Sequence, residues 1–185
     1  MKKQEAGSTL YSDKPSNRDP MKKYYLGIDL GINGAFAEIS PSGVITEPMP
    51  LIYSSNEIDY RSIYNILKEY KDFDVHVVFE KLGIIFGSSK KTSFSMGGQL
   101  RAVEMACIAL DLPYTMVRAK DWQKELFQGV SEIKKGESRD TKSMALVAVK
   151  RLFPHIKLTF GERAVKPHDG LVDAILLAEY ARRHF

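Results

Sequence analysis

Short apolar runs separated by turn residues fill the first half of the chain. YYLGID ends at Asp29, just before a turn that contains two glycines. AFAEIS and GVITE are joined by Pro-Ser-Gly, which is typical of a hairpin. VHVVF is β-branched and nearly continuous, as in a strand buried on both faces, and Glu80 follows the phenylalanine. With PYTMV further on, the pattern predicts five strands.

Helical spacing appears between and after these strands. IDYRSIYNILKEY and FSMGGQLRAVEMACIALDL predict two helices, KDWQKELFQ a short one, and TKSMALVAVKRLF one that stops at a proline. GVSEIKKGESRD is predicted to be a charged loop. A hairpin followed by strand-helix-strand crossovers predicts an α/β fold in which helices flank a mixed sheet. If the first and fourth strands are parallel neighbours, Asp29 and Glu80 meet at one edge of the sheet, where α/β folds bind ligands.

The closing segment KPHDGLVDAILLAEYARRHF predicts a helix that carries two aspartates. At about 100° per residue, Asp173 lies opposite Arg182, and Asp169 points the same way one turn earlier. Glu179 and the arginines that follow it mark the polar face, so both aspartates are expected to face inward. A buried charge costs several kcal/mol unless a cation pairs with it.

Four carboxylates brought to one sheet edge predict a metal centre. Without cations they would repel one another, and hard divalent ions such as Mg²⁺ prefer oxygen ligands. Two ions about 3.5 to 4 Å apart can assist the attacking and the leaving oxygen of a phosphodiester displacement. This arrangement indicates metal-dependent hydrolysis of nucleic acid.

Each acidic residue also has a structural alternative. Asp29 could cap a turn, and Glu80 could pair with Lys81 or Lys90 at the surface. Asp169 could be the cap or the first-turn residue of the closing helix. His168 could be a loop histidine or could replace Asp169 as a ligand.

Composition and charge narrow the class of protein without selecting one. The 185 residues fit one domain, and 44% hydrophobic with 27% charged residues is ordinary for a soluble protein. Residues 1–20 are polar and predict a disordered tail, followed by a domain over 21–185. Cys107, the single cysteine, fits a reducing compartment and a buried position. No secretory leader or membrane-length apolar run is visible, which favours a cytoplasmic protein.

A net charge of +4 permits a nucleic-acid partner, and its distribution favours one. No acidic residue lies between Glu80 and Glu104, so this segment is expected to face DNA. Phe86 or Phe94 could stack on exposed bases there, or could belong to the core. The basic residues of the segment are Lys81, Lys90, Lys91 and Arg101.

YLGIDLGINGAFAEI, VVFEKLG and KPHDGLVDAILLAEYARR, in this order, resemble the RuvC-like Holliday junction resolvases, closest to their bacteriophage branch. The resemblance covers about residues 22–185 and implies a ribonuclease H-like fold with a mixed five-stranded sheet. It implies Mg²⁺ or Mn²⁺ bound by the four acids, a homodimer, and paired nicks across a four-way junction in the cytoplasm, that of the host if the gene is a phage gene. The implied metal ligands are Asp29, Glu80, Asp169 and Asp173.

Two further basic residues and one spacing bear on that resemblance. Lys124 and Lys142 look like basic residues that the family carries near its site. In some bacterial members the last two acids are three residues apart, whereas here they are four apart, which keeps His168 as an alternative to Asp169.

Two other classes of function compete with a junction-cutting nuclease. DLGINGA could hold phosphates in an actin-like or sugar-kinase-like ATPase, but such a protein needs two of these domains. A junction-binding protein without catalysis is the second alternative, and the complete set of acids argues against it.

Overall fold

A computed structural model of the chain describes residues 18–55, 57–81, 90–161 and 163–185, and the side chains of 90–93 are not included. The strands are β1 Lys23–Asp29, β2 Ala35–Ser40, β3 Gly43–Pro48, β4 Leu51–Ile52, β5 Glu57–Ile58, β6 Asp74–Glu80, β7 Tyr114–Val117, β8 Lys134–Lys135 and β9 Ser138–Arg139. The helices are α1 Tyr60–Lys68, α2 Lys90–Ala109, α3 Ala119–Leu126, α4 Thr141–Leu152 and α5 Asp169–His184.

Five of the strands form one mixed sheet in the order β3-β2-β1-β6-β7. β1 pairs antiparallel with β2 and parallel with β6, which confirms that the first strand lies beside the fourth predicted one. The parallel register runs to Ile28 opposite Phe79. The next residue of each strand, Asp29 and Glu80, therefore reaches the same edge of the sheet.

The sheet is covered on both faces, as the run VHVVF predicts. Val77 and Phe79 pack in a core with α1 and α2, whereas Val78, between them, packs in a second core with α3, α4 and α5. All three side chains are fully buried. The period-two alternation of a strand thus supplies both cores from one continuous apolar run.

Helix α5 is buried on nearly all sides, because it lies between the sheet and helices α3 and α4. It approaches β1 so closely that a Cβ on Gly27 would overlap the backbone of Ala174 and Ala178. The prediction that Glu179 lies on the exposed polar face of this helix is wrong, because only 2% of its surface is exposed. Its charge is compensated within the helix by Arg182 Nε at 2.7 Å and Arg183 Nε at 2.9 Å.

Two short strand pairs were not predicted. β8 and β9 form a hairpin inside the predicted charged loop, and β4 pairs with β5. Strands of two residues are too short to give a hydrophobic period. No helix within the described ranges has the length and apolar character to cross a membrane.

The end of the predicted tail contacts the domain. Arg18 Nε lies 2.8 Å from Glu38 Oε2, and Arg18 Nη1 lies 3.1 Å from Glu69 Oε2. The same guanidinium donates to the Tyr70 hydroxyl at 2.9 Å. Residues 18–20 are therefore attached to the sheet and α1, whereas residues 1–17 lie outside the described residues.

Candidate active site

Three separated parts of the chain bring carboxylates to one cleft at the edge of the sheet. Asp29 ends β1, and Asp169 and Asp173 come from the first two turns of α5. The cleft has a volume of about 490 Å³, and Lys142 from α4 also lines it. Glu80, at the end of β6, lies close enough for its charge to help raise the pKa values of both Asp29 and Asp173.

The start of α5 is fixed by its cap and by a glycine. His168 is the N-cap residue, and its Nδ1 accepts a hydrogen bond from the backbone N–H of Leu171 at 3.2 Å. Its ring also packs edge-on against Phe160. A Cβ at Gly170 would lie 2.8 Å from Asp29 Oδ2 and overlap the backbone oxygen of Asn33. Glycine therefore lets α5 begin directly against the loop that follows β1.

Burial and mutual repulsion raise the pKa values of the two buried aspartates of the cleft. Burial, and then the charges of Asp173 and Glu80, raise the pKa of Asp29 to about 8. Burial, and then Glu80 and Asp169, raise the pKa of Asp173 to about 7. Burial also raises the pKa of Glu80. Such shifts in one cleft mark a functional-site candidate, because a protein gains no stability from them.

Glu80 is held by a buried tryptophan. Trp122 Nε1 of α3 donates to Glu80 Oε1 at 2.7 Å, which opposes the effect of burial on the pKa of Glu80. Trp122 has 1% of its surface exposed and packs edge-on against Phe127. The indole therefore fixes one carboxylate oxygen and orients the other.

Asp169 differs from the other three carboxylates. Its side chain is 51% exposed, so the expectation that it faces inward like Asp173 is wrong. As the first residue of α5, it lies where the helix meets solvent. Lys142 Nζ lies 2.8 Å from Asp169 Oδ2, and this contact raises the pKa of Lys142. The same ammonium lowers the pKa values of Asp29 and Asp173, which burial raises.

No three His, Cys, Asp or Glu side chains of the described residues stand ready as ligands of one ion. Two of the four acids are engaged elsewhere, Glu80 with an indole and Asp169 with an ammonium. The donor set is nevertheless one of carboxylate oxygens in an excess of negative charge. That chemistry fits a hard divalent cation.

The remaining predicted residues lie in different settings. Lys124 is on α3, where its charge helps Arg118 to lower the pKa of Asp121. It does not line the cleft. Lys81 is exposed directly after Glu80, and Arg101 pairs with Glu104 on α2. Phe94 has 87% of its surface exposed, so the alternative that it belongs to the core is wrong. Phe86 and the side chains of Lys90 and Lys91 lie outside the described residues.

Two residues of the site were not found in the sequence. Trp122 lies in the helix for which the sequence singled out only Lys124, and Gln99 lines the cleft from α2. Each belongs to a segment far in sequence from the acids. Only the folded contact reveals its role.

Comparison with known proteins shows the fold. No protein-family model and no curated protein matches the chain. The structure of T. thermophilus RuvC in complex with a Holliday junction substrate aligns over 88% of this chain and 96% of that chain, with a TM-score of 0.54 and 18% identity. Another Thermus thermophilus RuvC structure aligns over 86% and 96%, with a TM-score of 0.49 and 18% identity. The chain has the α/β ribonuclease H-like fold, as the sequence predicts.

The raised pKa values predict that the metal-free protein loses stability as the pH rises. Between about pH 4 and pH 8 the folded Asp29 keeps a proton that the unfolded chain releases. This contribution of Asp29 to the free energy of unfolding is therefore largest at low pH. It is lost as the pH rises to about 8, the pKa of Asp29 in the folded protein. From pH 5 to pH 8 the free energy of unfolding of the wild type should fall by about 2 to 3 kcal/mol relative to Asp29→Asn.

Urea unfolding of both proteins in EDTA measures this difference. His76, whose pKa is lowered by burial, acts in the opposite direction but is present in both proteins and cancels. A difference that stays constant from pH 5 to pH 8 would show that Asp29 is ionised throughout.

The hydrogen bond from Trp122 predicts how the pKa of Glu80 changes when the indole is removed. Trp122→Phe removes the donor and keeps an aromatic ring, so the pKa of the Glu80 carboxyl should rise further. A ¹³C NMR titration of glutamate carboxyl carbons measures it. Phe127→Leu is the control, because it disturbs the same packing without touching Glu80. Equal shifts in the two variants would contradict a role for the indole N–H.

Proposed function

We propose that this protein is a metal-dependent endonuclease that cuts branched DNA, with the four-way junction as its substrate. The observation that carries the proposal is the meeting of Asp29 of β1 with Asp169 and Asp173 of α5 in one cleft, with Glu80 of β6 close enough that its charge helps to raise the pKa values of Asp29 and Asp173. The fold is shared with a T. thermophilus RuvC structure in complex with a Holliday junction substrate, which supports the substrate class. We place the protein with the RuvC-like resolvases, closest to the bacteriophage branch on its three motifs, and acting in the cytoplasm.

Two Mg²⁺ or Mn²⁺ ions would be held by the four acids, Asp29, Glu80, Asp169 and Asp173. When bound, the ions would supply charge stabilisation and an activated water for phosphodiester hydrolysis. The fit rests on the oxygen donors and on the uncompensated negative charge of the cleft. His168 is the weaker alternative to Asp169, because its Nδ1 is engaged in capping α5.

The residues around the acids have roles of their own. Trp122 keeps Glu80 in one orientation through its N–H, and so limits the reorganisation that binding an ion requires. Lys142 is 72% exposed at the rim of the cleft, where its ammonium attracts a phosphate toward the carboxylates. Gly170 keeps Asp29 and the start of α5 in direct contact.

Branched DNA would contact the protein along the acid-free segment after Glu80. Lys81 is exposed next to the cleft, and Phe94 is exposed on the first turns of α2 and available to stack on a base. Phe86, Lys90 and Lys91 remain predictions for the same surface. Arg101 contributes less charge, because it is paired with Glu104.

The two competing functions have less support. An ATPase would need the loop after β1 to bind phosphates with backbone N–H groups, whereas here Asp29 and the start of α5 bring carboxylates to that loop. A binder without catalysis would gain nothing from acids that raise one another's pKa values and weaken the fold.

A second copy of the chain would bind through α2. Paired nicks in two strands need two active sites, and the second half of α2 carries an exposed apolar stripe of Met105 and Ile108. A Cβ at Gly97 on the same helix would meet nothing within 4 Å, which leaves room for the close approach of another helix. We propose this stripe as the homodimer surface.

Loss of one metal-binding carboxylate should stop cleavage without stopping binding. Asp29→Asn, Glu80→Gln and Asp173→Asn keep size and remove charge, so cutting of a labelled four-way junction in Mg²⁺ should fall at least about 100-fold. Junction affinity, measured by gel shift in EDTA, should change less than about threefold. Asp111→Asn, an acid at the end of α2 that does not line the cleft, is the control. A variant that cuts at the wild-type rate would remove its residue from the site.

The dimer surface makes a separate prediction. Met105→Glu with Ile108→Lys puts charges on the exposed stripe of α2, so the mass found by light scattering should fall from two chains to one. Val147→Lys, at an exposed apolar residue on α4, is the control and should leave the dimer intact. A double variant that keeps the wild-type mass would place the interface elsewhere.

A further inference from the structure

Gln99 is a buried polar residue whose amide is only half satisfied. It has 3% of its surface exposed, and its Nε2 donates to Ser95 Oγ at 3.1 Å. Its Oε1 has no hydrogen-bond partner among the described residues. Both residues line the cleft that holds the carboxylates.

An unpartnered amide oxygen in a buried position is costly, and folded proteins rarely keep one without a reason. Exchanging the oxygen and nitrogen of the amide would not remove the problem. Ser95 would then donate to the oxygen, and the NH₂ group would be left unpaired. In either orientation, one polar atom of the amide has no hydrogen-bond partner among the described residues.

The walls of the cleft differ in chemistry. One wall, from α4 and α5, carries Lys142, Asp169 and Asp173. The opposite wall, from α2, carries Ser95, Met96 and Gln99, and the floor is the loop 29–33, which includes Leu30 and Ile32. A volume of about 490 Å³ can accommodate a nucleotide. With the phosphate at the charged wall, the base would lie against the apolar side chains and the amide of α2.

The unpartnered Oε1 of Gln99 needs a hydrogen-bond donor, and this restricts the part of a nucleotide that it can contact. Phosphate oxygens only accept hydrogen bonds, so they cannot satisfy Oε1. On the major-groove edge, adenine and cytosine carry exocyclic amines that donate, whereas guanine and thymine present the acceptors O6 and O4 at the same place.

We propose that Gln99 is a specificity-determining residue that accepts a hydrogen bond from the exocyclic amine of the base beside the cleaved phosphate. Cleavage then favours adenine or cytosine over thymine at that position. This inference rests on the proposed nuclease function and adds a sequence preference to it.

The test is a set of labelled four-way junctions in which the two nucleotides flanking the cleaved bond are varied in all combinations. The wild type should cut the preferred junctions at least about fivefold faster than the thymine junctions. Gln99→Leu should reduce this ratio to within about twofold, mainly by slowing the preferred junctions. Gln99→Glu keeps an acceptor and should keep the preference. Gln128→Leu, an exposed glutamine outside the cleft, is the control.

Other outcomes would overturn the proposal. Gln99→Leu removes a half-satisfied buried amide, so its melting temperature should equal or exceed that of the wild type, and a large drop would indicate a structural role instead. An equal slowing on every junction would place Gln99 at the ions or in the fold. A wild type that cuts all junctions alike would exclude base recognition while leaving the nuclease function intact. A wild type that cuts none would exclude both.

Discussion

The close approach of α5 to β1 is the constraint on which the rest of the molecule depends. Gly27 allows the helix backbone to lie directly on the strand, and Gly170 allows the first turn of the helix to reach the loop beyond it. Together they fix both the distance and the position of α5 along β1. Asp173 then lies beside Asp29, and Asp169 lies at the rim of the cleft. A side chain at either glycine would separate the acids before it disturbed the rest of the sheet.

The cost of the site is an electrostatic one. The fold brings carboxylates together and withdraws water from them, and their pKa values rise as a result. Elsewhere in the molecule buried charge is compensated, as Glu179 is by two arginines and Glu38 is by Arg18. In the cleft, the exposed Lys142 is the only cation among the described residues that compensates it. This contrast, within one protein, is the electrostatic argument for the proposed cation site.

Much of the fold, and the convergence of Asp29, Asp169 and Asp173 on one edge of the sheet, could be predicted, because these features leave local patterns, whereas the role of the acids as metal ligands stays a prediction. A continuous β-branched run predicts a strand covered on both faces, and an acid after each of two strands predicts a shared edge. Glu179, Trp122 and Gln99 could not be interpreted correctly in this way. Their environments depend on which helix packs against which, and sequence periodicity carries no information about that choice. The β8–β9 hairpin could not be predicted, because strands of two residues are too short to show an alternation of apolar and polar positions.

The position of α5 in the chain has a consequence for synthesis. All five strands of the sheet are made before residues 169–184, so the face formed by Ala35, Ala37 and Val78 stays uncovered on the nascent chain until that helix emerges. Long-range contacts of this kind form late in folding. The growing polypeptide therefore exposes this apolar face to water for as long as the helix is missing. The same delay brings the last two acids to Asp29 only when the core closes, so no partly synthesised chain holds the complete set.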